Sequence, residues 1–280
     1  MKNKSKFPQS EQKTLAHLIG SGEYAKAQAI CRSLPGTDQG TWGYYGERFA
    51  DWLDDQDQSP GCTIFQKGNA KLPFYAFSAF PIVTCQIGMG LCENWCYSLK
   101  AWRYPTAFFR QAYNTVLIKE QSKHLANAWL RLPADVTVRL YVDGDIDSMS
   151  TLKFWFNLLA IRSDLNAYGY SKSFALFTSY KGEWPNNYKL NLSSGSKHPV
   201  TDKLRALPIV RGEFRAVHVH KHLAGKYSNP EYKRAVRDSA RSEGIEKGFV
   251  CPGKCGPCTK KGHACGLDTF KDVNILIGIH

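Results

Sequence analysis

The chain has no unbroken apolar stretch near the length that crosses a bilayer, and the residues MKNKSKFPQSEQK at its start are polar with no apolar core behind them. These absences set the expectation of a cytoplasmic protein with neither a helical membrane anchor nor a secretory leader, and with no membrane partner. Internal repeats and low-complexity tracts are also missing, which excludes a solenoid or a compositionally biased tail. Acidic residues are scarce: 24 Asp and Glu stand against 37 Lys and Arg, a net charge of +13. An acidic surface is thereby excluded, and polyanions become candidate partners. The cysteine count is odd, at nine. Without an export signal, an odd count argues against a disulfide framework and leaves metal ligation as the use of clustered thiols.

What is present suits a folded protein. Hydrophobic residues make up 43% and aromatic residues 13% of 280 positions, enough for one large core and a second small unit. Ser10 through Leu18, Glu23 to Leu34 and Trp42 to Leu53 read as short helices, punctuated by Gly20, Gly22, Pro35 and Gly36. They predict a helical appendage over residues 1–60, on which Cys31 reads as a core thiol.

From Phe65 onward strands alternate with helices. Phe74 to Val83, Val136 to Val142, Asn166 to Tyr170, Tyr188 to Leu192 and Phe214 to Val219 read as strands, with helices over Thr106 to Leu130 and Met149 to Arg162. This alternation predicts βαβ units and a parallel sheet, an α/β core over residues 61–242. A basic helix is expected from Pro230 to Ser242. Residues 243–280 then hold a cysteine segment too rich in Gly and Pro for a helix, and an apolar closing strand, Val273 to Ile279. Parallel sheets bind ligands at the carboxyl ends of their strands. The first cysteine loop, Asp143 to Asp145, Ser171 to Ser173, Ser193 to Ser196 and the histidines near position 220 all fall at or near such ends.

Seven cysteines form two groups. Cys251, Cys255, Cys258 and Cys265 have the spacing C-x3-C-x2-C-x6-C, which lets four thiolates converge on one zinc or one four-iron cluster. His263 reads as a bystander beside them. Cys85, Cys92 and Cys96 have the spacing C-x6-C-x3-C, with Gly88 and Gly90 letting the backbone wrap closely. Three thiols leave one position of such a centre open, unless a distant residue such as Cys62 completes a zinc site.

A strand running into three cysteines, with aromatic Trp95 immediately before Cys96, resembles the radical S-adenosylmethionine superfamily, although the spacings are longer than in that superfamily's usual loop. The stretches Gly68-Asn69-Ala70-Lys71-Leu72, Tyr97-Ser98-Leu99-Lys100, VRLYVDGDIDS and AYGYSKS resemble more closely the "gene product eighty-eight" family of phage and plasmid proteins. The first resemblance implies a partial or full parallel β/α barrel. Cys85, Cys92 and Cys96 would hold a [4Fe-4S] cluster with one iron open to S-adenosylmethionine, and the four-cysteine group would carry an auxiliary cluster or zinc. Trp95 would pack near the adenine. Asp143, Gly144 and Asp145 would contact the methionine amino group, and Ser171, Lys172, Ser173, Ser193 and Ser194 the carboxylate or ribose. An electron donor would reduce the cluster, the cosubstrate would be cleaved homolytically, and the radical would take a hydrogen from an unknown substrate.

Other patterns support other readings. His218, His220 and His222 alternate along a strand, as in some metallohydrolases, for which Asp143 and Asp145 supply carboxylates. Asp143, Asp145 and Asp147 imitate the start of a calcium loop whose downstream glutamate position holds Phe154. The aromatic run between Trp95 and Phe109 reads as core. Lys197, Lys203, Arg205, Arg211, Arg215, Lys221, Lys226, Lys233, Arg234, Arg237 and Arg241 make the C-terminal half basic. They raise the alternative of a non-enzymatic zinc or iron-sulfur protein of a phage or plasmid that binds nucleic acid, although no recognised nucleic-acid motif accompanies the charge.

Overall fold

The computed structural model describes residues 7–68, 72–256, 258–260 and 262–279. Asn69, Ala70 and Lys71 of the GNAKL stretch lie outside the described residues. The three helices expected at the start are present as α1 (Gln9–Gly20), α2 (Tyr24–Ser33) and α3 (Trp42–Asp54). Thr41 caps α3 by accepting the Tyr44 N–H at 3.3 Å. Their apolar faces merge with the main core through α4 (Pro105–Lys119), where Trp42 meets Phe108 at 5.5 Å and Phe49 meets Phe109 at 5.9 Å. Cys31 is fully buried in that core.

One seven-stranded sheet runs through the molecule. Its strands are β1 (Tyr75–Ala76), β2 (Thr137–Leu140), β3 (Asn166–Ser171), β4 (Tyr188–Ser193), β5 (Val210–His218), β6 (Gly248–Val250) and β7 (Asn274–Ile279). Their spatial order is β1-β2-β3-β4-β5-β7-β6, and every pair is parallel. The expected parallel α/β sheet is therefore present. It is open: among the described residues β1 and β6 are not paired, and no closed barrel forms. The tail expected to close the sheet lies inside it, because β6 adds to the far side of β7.

Two boundaries moved for identifiable reasons. The strand expected from Phe74 to Val83 shortens to two residues, since Pro81 has no N–H and the Phe80 N–H is taken by Thr115 Oγ1 at 2.9 Å. The helix expected from Thr106 to Leu130 breaks into α4 and α5 (Lys123–Leu130). Gln121 turns to a positive φ of 48° there, and Ser122 caps the second piece by accepting the His124 N–H. The helix after β2 forms as α6 (Met149–Ile161), while α7 (Phe174–Ser179), α8 (Asp202–Arg205) and β6 were not foreseen.

The register sorts the sheet into two faces. Val138, Leu140, Ala167, Leu190 and Leu192 share the face covered by α6, whose Phe156 lies 6.0 Å from Tyr188. Arg139, Tyr168, Tyr170, Lys189, Asn191 and Phe214 share the other. That inner face is covered by the cysteine segment before β7: Asn191 Nδ2 donates to the Cys265 carbonyl at 2.9 Å, and Lys189 pairs with Asp268 at 2.7 Å. Arg211 Nη1 donates to the carbonyls of Phe270 and Val273, both at 2.7 Å.

A second small core, Val217, Tyr232, Val236, Ala240 and Leu276, lies under α9 (Pro230–Ser242). Asn229 caps that helix and Pro230 occupies its first turn. Among the described residues no helix is long and apolar enough to cross a membrane.

Candidate functional site

The first cysteine loop lies across the carboxyl ends of the strands, fastened to the loops that leave β3 and β4. Gly88 and Met89 N–H groups donate to the Cys85 carbonyl at 3.1 and 2.8 Å, and Lys197 N–H donates to the Gly88 carbonyl at 3.2 Å. The Cys92 N–H donates to the Gly195 carbonyl at 3.3 Å, and Ser196 Oγ donates to the Lys172 carbonyl at 2.9 Å. Glycine is required here by close approach rather than by flexibility. A Cβ on Gly88 would lie 2.2 Å from the Lys172 backbone, and one on Gly90 2.6 Å from the Lys197 nitrogen. Gly195 in turn seats Cys92 and Trp95, whose atoms lie 3.0 Å from its ideal Cβ position.

Beneath the loop, Gly144 takes a φ of 85°, and a Cβ there would meet Thr84 Oγ1 at 2.6 Å. Thr84 Oγ1 accepts the Asp145 N–H at 3.0 Å. The Asp145 carboxylate is buried and accepts the N–H groups of Lys172 at 2.7 Å and Ile146 at 2.8 Å. It thus braces the end of β2 against the end of β3. Burial pushes its pKa up, against those bonds and the Lys172 charge. Asp143 is half-buried and accepts from Gln111 Nε2 at 3.0 Å, with Trp102 orienting the amide from behind. Burial raises its pKa as well, offset in part by Ser98 and Arg139.

Lys172 Nζ donates to Ser193 Oγ at 3.0 Å and stands 6.0 Å over the Trp95 ring. Ser171 Oγ accepts the Ser173 N–H and also bonds the Asp145 carboxylate, while Ser194 Oγ accepts the Ala216 N–H and serves its loop locally. Trp95, Asp143, Gly144, Asp145, Lys172 and Ser193 therefore share one strand-end site with the cysteine loop.

The second group lies on the segment over the inner face. Cys251, Cys255 and Cys258 are close enough for their charges to repel, and Cys265 feels Cys251 and Cys255. Burial pushes the Cys265 thiol up to about 12, opposed by the Tyr170 hydroxyl and Arg211. Burial also raises Cys251 and Cys258, although the Ala264 N–H donates to Cys258 Sγ at 3.3 Å. In the first group burial drives Cys85 upward as well, with Asp145 and Cys96 adding to it and Lys172 opposing. Buried thiols of this kind stay neutral unless a cation converts them to thiolates.

Among the described residues no three Cys, His, Asp or Glu side chains converge as the ligands of one metal ion. The donor chemistry nevertheless fits a thiolate-bound centre in each group: three thiols on a glycine-fastened strand-end loop, and four on one short segment with an N–H donor to sulfur.

The remaining candidates lie elsewhere. His263 packs between Phe74 and Tyr168, with ring centroids 4.5 and 4.9 Å away. His220 and His222 contact each other at 2.7 Å on the surface, and His222 also approaches Glu231 at 3.2 Å. Cys62 sits beside Arg110 and Tyr113, its thiol raised by burial to about 12. Arg211, counted among the basic surface residues, is buried and donates to Asn191 Oδ1 at 2.7 Å, so its charge belongs to the interior.

Two participants were missed in the sequence. Arg139 and Tyr97 lie between the thiol groups, with Arg139 feeling Tyr97 beside Cys96 and also Cys255. A lone arginine inside the β-branched strand TVRLYV was the available signal.

An open parallel α/β sheet with a thiol loop across its strand ends, and a second thiol segment over its inner face, defines the class of this protein. Residues 54–267 match the family described as gene product 88, and the chain belongs to that family. Comparison with curated proteins and with solved structures gave no match.

Proposed function

We propose that the chain is an iron-sulfur enzyme that uses S-adenosylmethionine. Cys85, Cys92 and Cys96 would hold a cluster with an open iron, and Cys251, Cys255, Cys258 and Cys265 an auxiliary cluster. The observation that carries this reading is the docking of the three-cysteine loop onto the ends of β3 and β4, beside Trp95, Asp143, Lys172 and Ser193. The sequential order of β1 to β5 supports reading the sheet as a partial β/α barrel, opened between β1 and β6.

Bound there, such a centre supplies one-electron chemistry to a sulfonium cosubstrate. The chain's own groups then have distinct roles. Asp143 keeps surface access and offers carboxylate lone pairs to an ammonium group. The Lys172 ammonium, tied to Ser193, presents a positive charge to a carboxylate. Trp95 offers a ring face to a nucleobase, backed by Gly195. Asp145, with both oxygens accepting backbone N–H groups, positions Lys172.

Anaerobically purified protein is expected to be brown, with iron and acid-labile sulfide at several equivalents per chain. The electron paramagnetic resonance spectrum of the reduced protein is expected to change when S-adenosylmethionine is added. Colourless protein holding zinc alone would sink the enzymatic reading.

A second reading, nucleic-acid binding, draws on α9, where Arg234, Arg237 and Arg241 are exposed at helical spacing on one side. If this stripe contacts phosphates, affinity for duplex DNA falls steeply with salt, and Arg234→Gln together with Arg237→Gln flattens the slope by about two charges. A salt-independent affinity removes this reading.

A further inference from the structure

Arg139 on β2 carries a charge that no ion pair holds, although the Asp143 carboxylate feels it from a distance. Among the described residues its guanidinium makes no hydrogen bond and no ion pair, and its Nε is shielded from water without a partner. One face rests on the Tyr170 ring, 4.7 Å from the centroid. The Tyr170 ring is held in place by Phe214, at 4.7 Å. Next along the sheet, the Tyr168 hydroxyl is also buried, with no oxygen or nitrogen partner and only the Cys255 thiol beside it.

Groups of the neighbouring strands and of the cysteine segment are engaged elsewhere. Tyr97 Oη donates to the Val142 carbonyl at 2.8 Å, the Arg139 carbonyl serves the Phe77 N–H, and the cysteine segment binds the inner face through Asn191, Lys189 and Arg211. A shielded guanidinium Nε–H without an acceptor costs stability, as does a buried hydroxyl with no oxygen or nitrogen partner. Two such donors side by side, on the face that joins the two thiol groups, mark a place that a ligand completes. The Arg139 side chain is only half-buried, so this place is reachable from solvent.

We propose that Arg139 anchors an oxyanion, a carboxylate or a phosphate, of the small molecule on which the protein acts, with Tyr168 Oη as a second donor. The guanidinium fork matches either group through two parallel N–H bonds, which a lysine ammonium does not reproduce. The tyrosine rings at positions 97, 168 and 170 then line the rest of the molecule, favouring a planar or apolar body beside the anion. That this molecule is a substrate rests on the enzymatic reading above; that an oxyanion binds does not.

The test is thermal unfolding of the anaerobically purified full chain, titrated with sodium acetate or inorganic phosphate against chloride at constant ionic strength. Wild-type protein gains several degrees in Tm, saturably, with at least one probe, and the probe that acts identifies the anion as carboxylate or phosphate. Arg139→Gln loses the response while its Tm without probe stays close to that of wild type, because the guanidinium gives up no hydrogen bond or ion pair. Arg139→Lys responds weakly. An unresponsive wild type, or an equal response in Arg139→Gln, overturns the proposal. So does an Arg139→Gln chain several degrees less stable without probe, which would make the guanidinium a structural partner of Tyr170. Iron and sulfide are counted on the same samples. A wild type without iron that still responds to the anion sinks the iron-sulfur reading alone. Iron with no anion response sinks the anion site alone. Metal lost from Arg139→Gln with the anion response kept makes the guanidinium a counter-ion of Cys255 and overturns the proposal.

Discussion

Cys96→Ala is expected to abolish the response of the reduced protein's electron paramagnetic resonance signal to S-adenosylmethionine, and to lower iron content by about half if each thiol group holds one four-iron cluster. The effect follows from number: two thiols and an exchangeable position do not retain a cluster that three retain weakly. The fold should survive, because Cys96 is half-buried and its neighbours are fixed independently. Cys92 is held to the Gly195 carbonyl, Trp95 rests against Gly195, and Tyr97 Oη is anchored on the Val142 carbonyl. Loss of iron from both groups together would show that the seven thiols share a single centre. Unchanged iron and an unchanged spectral response would remove Cys96 from the ligand set and transfer the open position elsewhere. Circular dichroism and Tm of the variant separate loss of the cluster from loss of the fold.

The sequence was most legible where local chemistry decides the outcome. The limits of α9 follow from Asn229 and Pro230 at one end and an amphipathic pattern through Ala240, and the structure keeps them. The strands β3 and β4 could be read from their composition because their neighbours on both sides are parallel strands reached by helical crossovers. The thiol loop at the strand ends was legible for the same reason: it follows a strand and carries the glycines that close approach requires.

The position of the cysteine segment over the inner face was not. It is fixed by Arg211, Asn191 and Lys189, two of which donate to backbone carbonyls, and every residue has a carbonyl, so no side-chain pattern announces the partner. The break at Gln121 escaped notice because α4 and α5 share one apolar periodicity, and only Ser122 marks the new start. Arg139 was hidden in plain strand sequence. Its importance comes from what fails to surround it, which is a property of the folded neighbourhood rather than of the residue.

Asp145→Ala is expected to destabilise the chain by about 2–4 kcal/mol, since it leaves the buried N–H groups of Lys172 and Ile146 without acceptors. A shift of the urea midpoint with an unchanged slope would measure this. Asp145→Asn keeps one acceptor oxygen but turns an amide donor toward a second N–H, so its cost should fall between wild type and alanine. The two variants decide between the roles open to this carboxylate. If alanine costs stability and also loosens the Lys172 to Ser193 contact, Asp145 is a brace that places the lysine ammonium beside Trp95, and S-adenosylmethionine binding suffers only indirectly. If alanine leaves the urea midpoint unchanged yet removes the spectroscopic response to S-adenosylmethionine, the carboxylate touches the cosubstrate itself, the role expected of it from the sequence. The geometry favours the brace, because both carboxylate oxygens already accept backbone N–H groups at 2.7 and 2.8 Å while Asp143 retains access to solvent. On that argument Asp143→Ala should be the variant that weakens the spectroscopic response while leaving the urea midpoint closer to wild type.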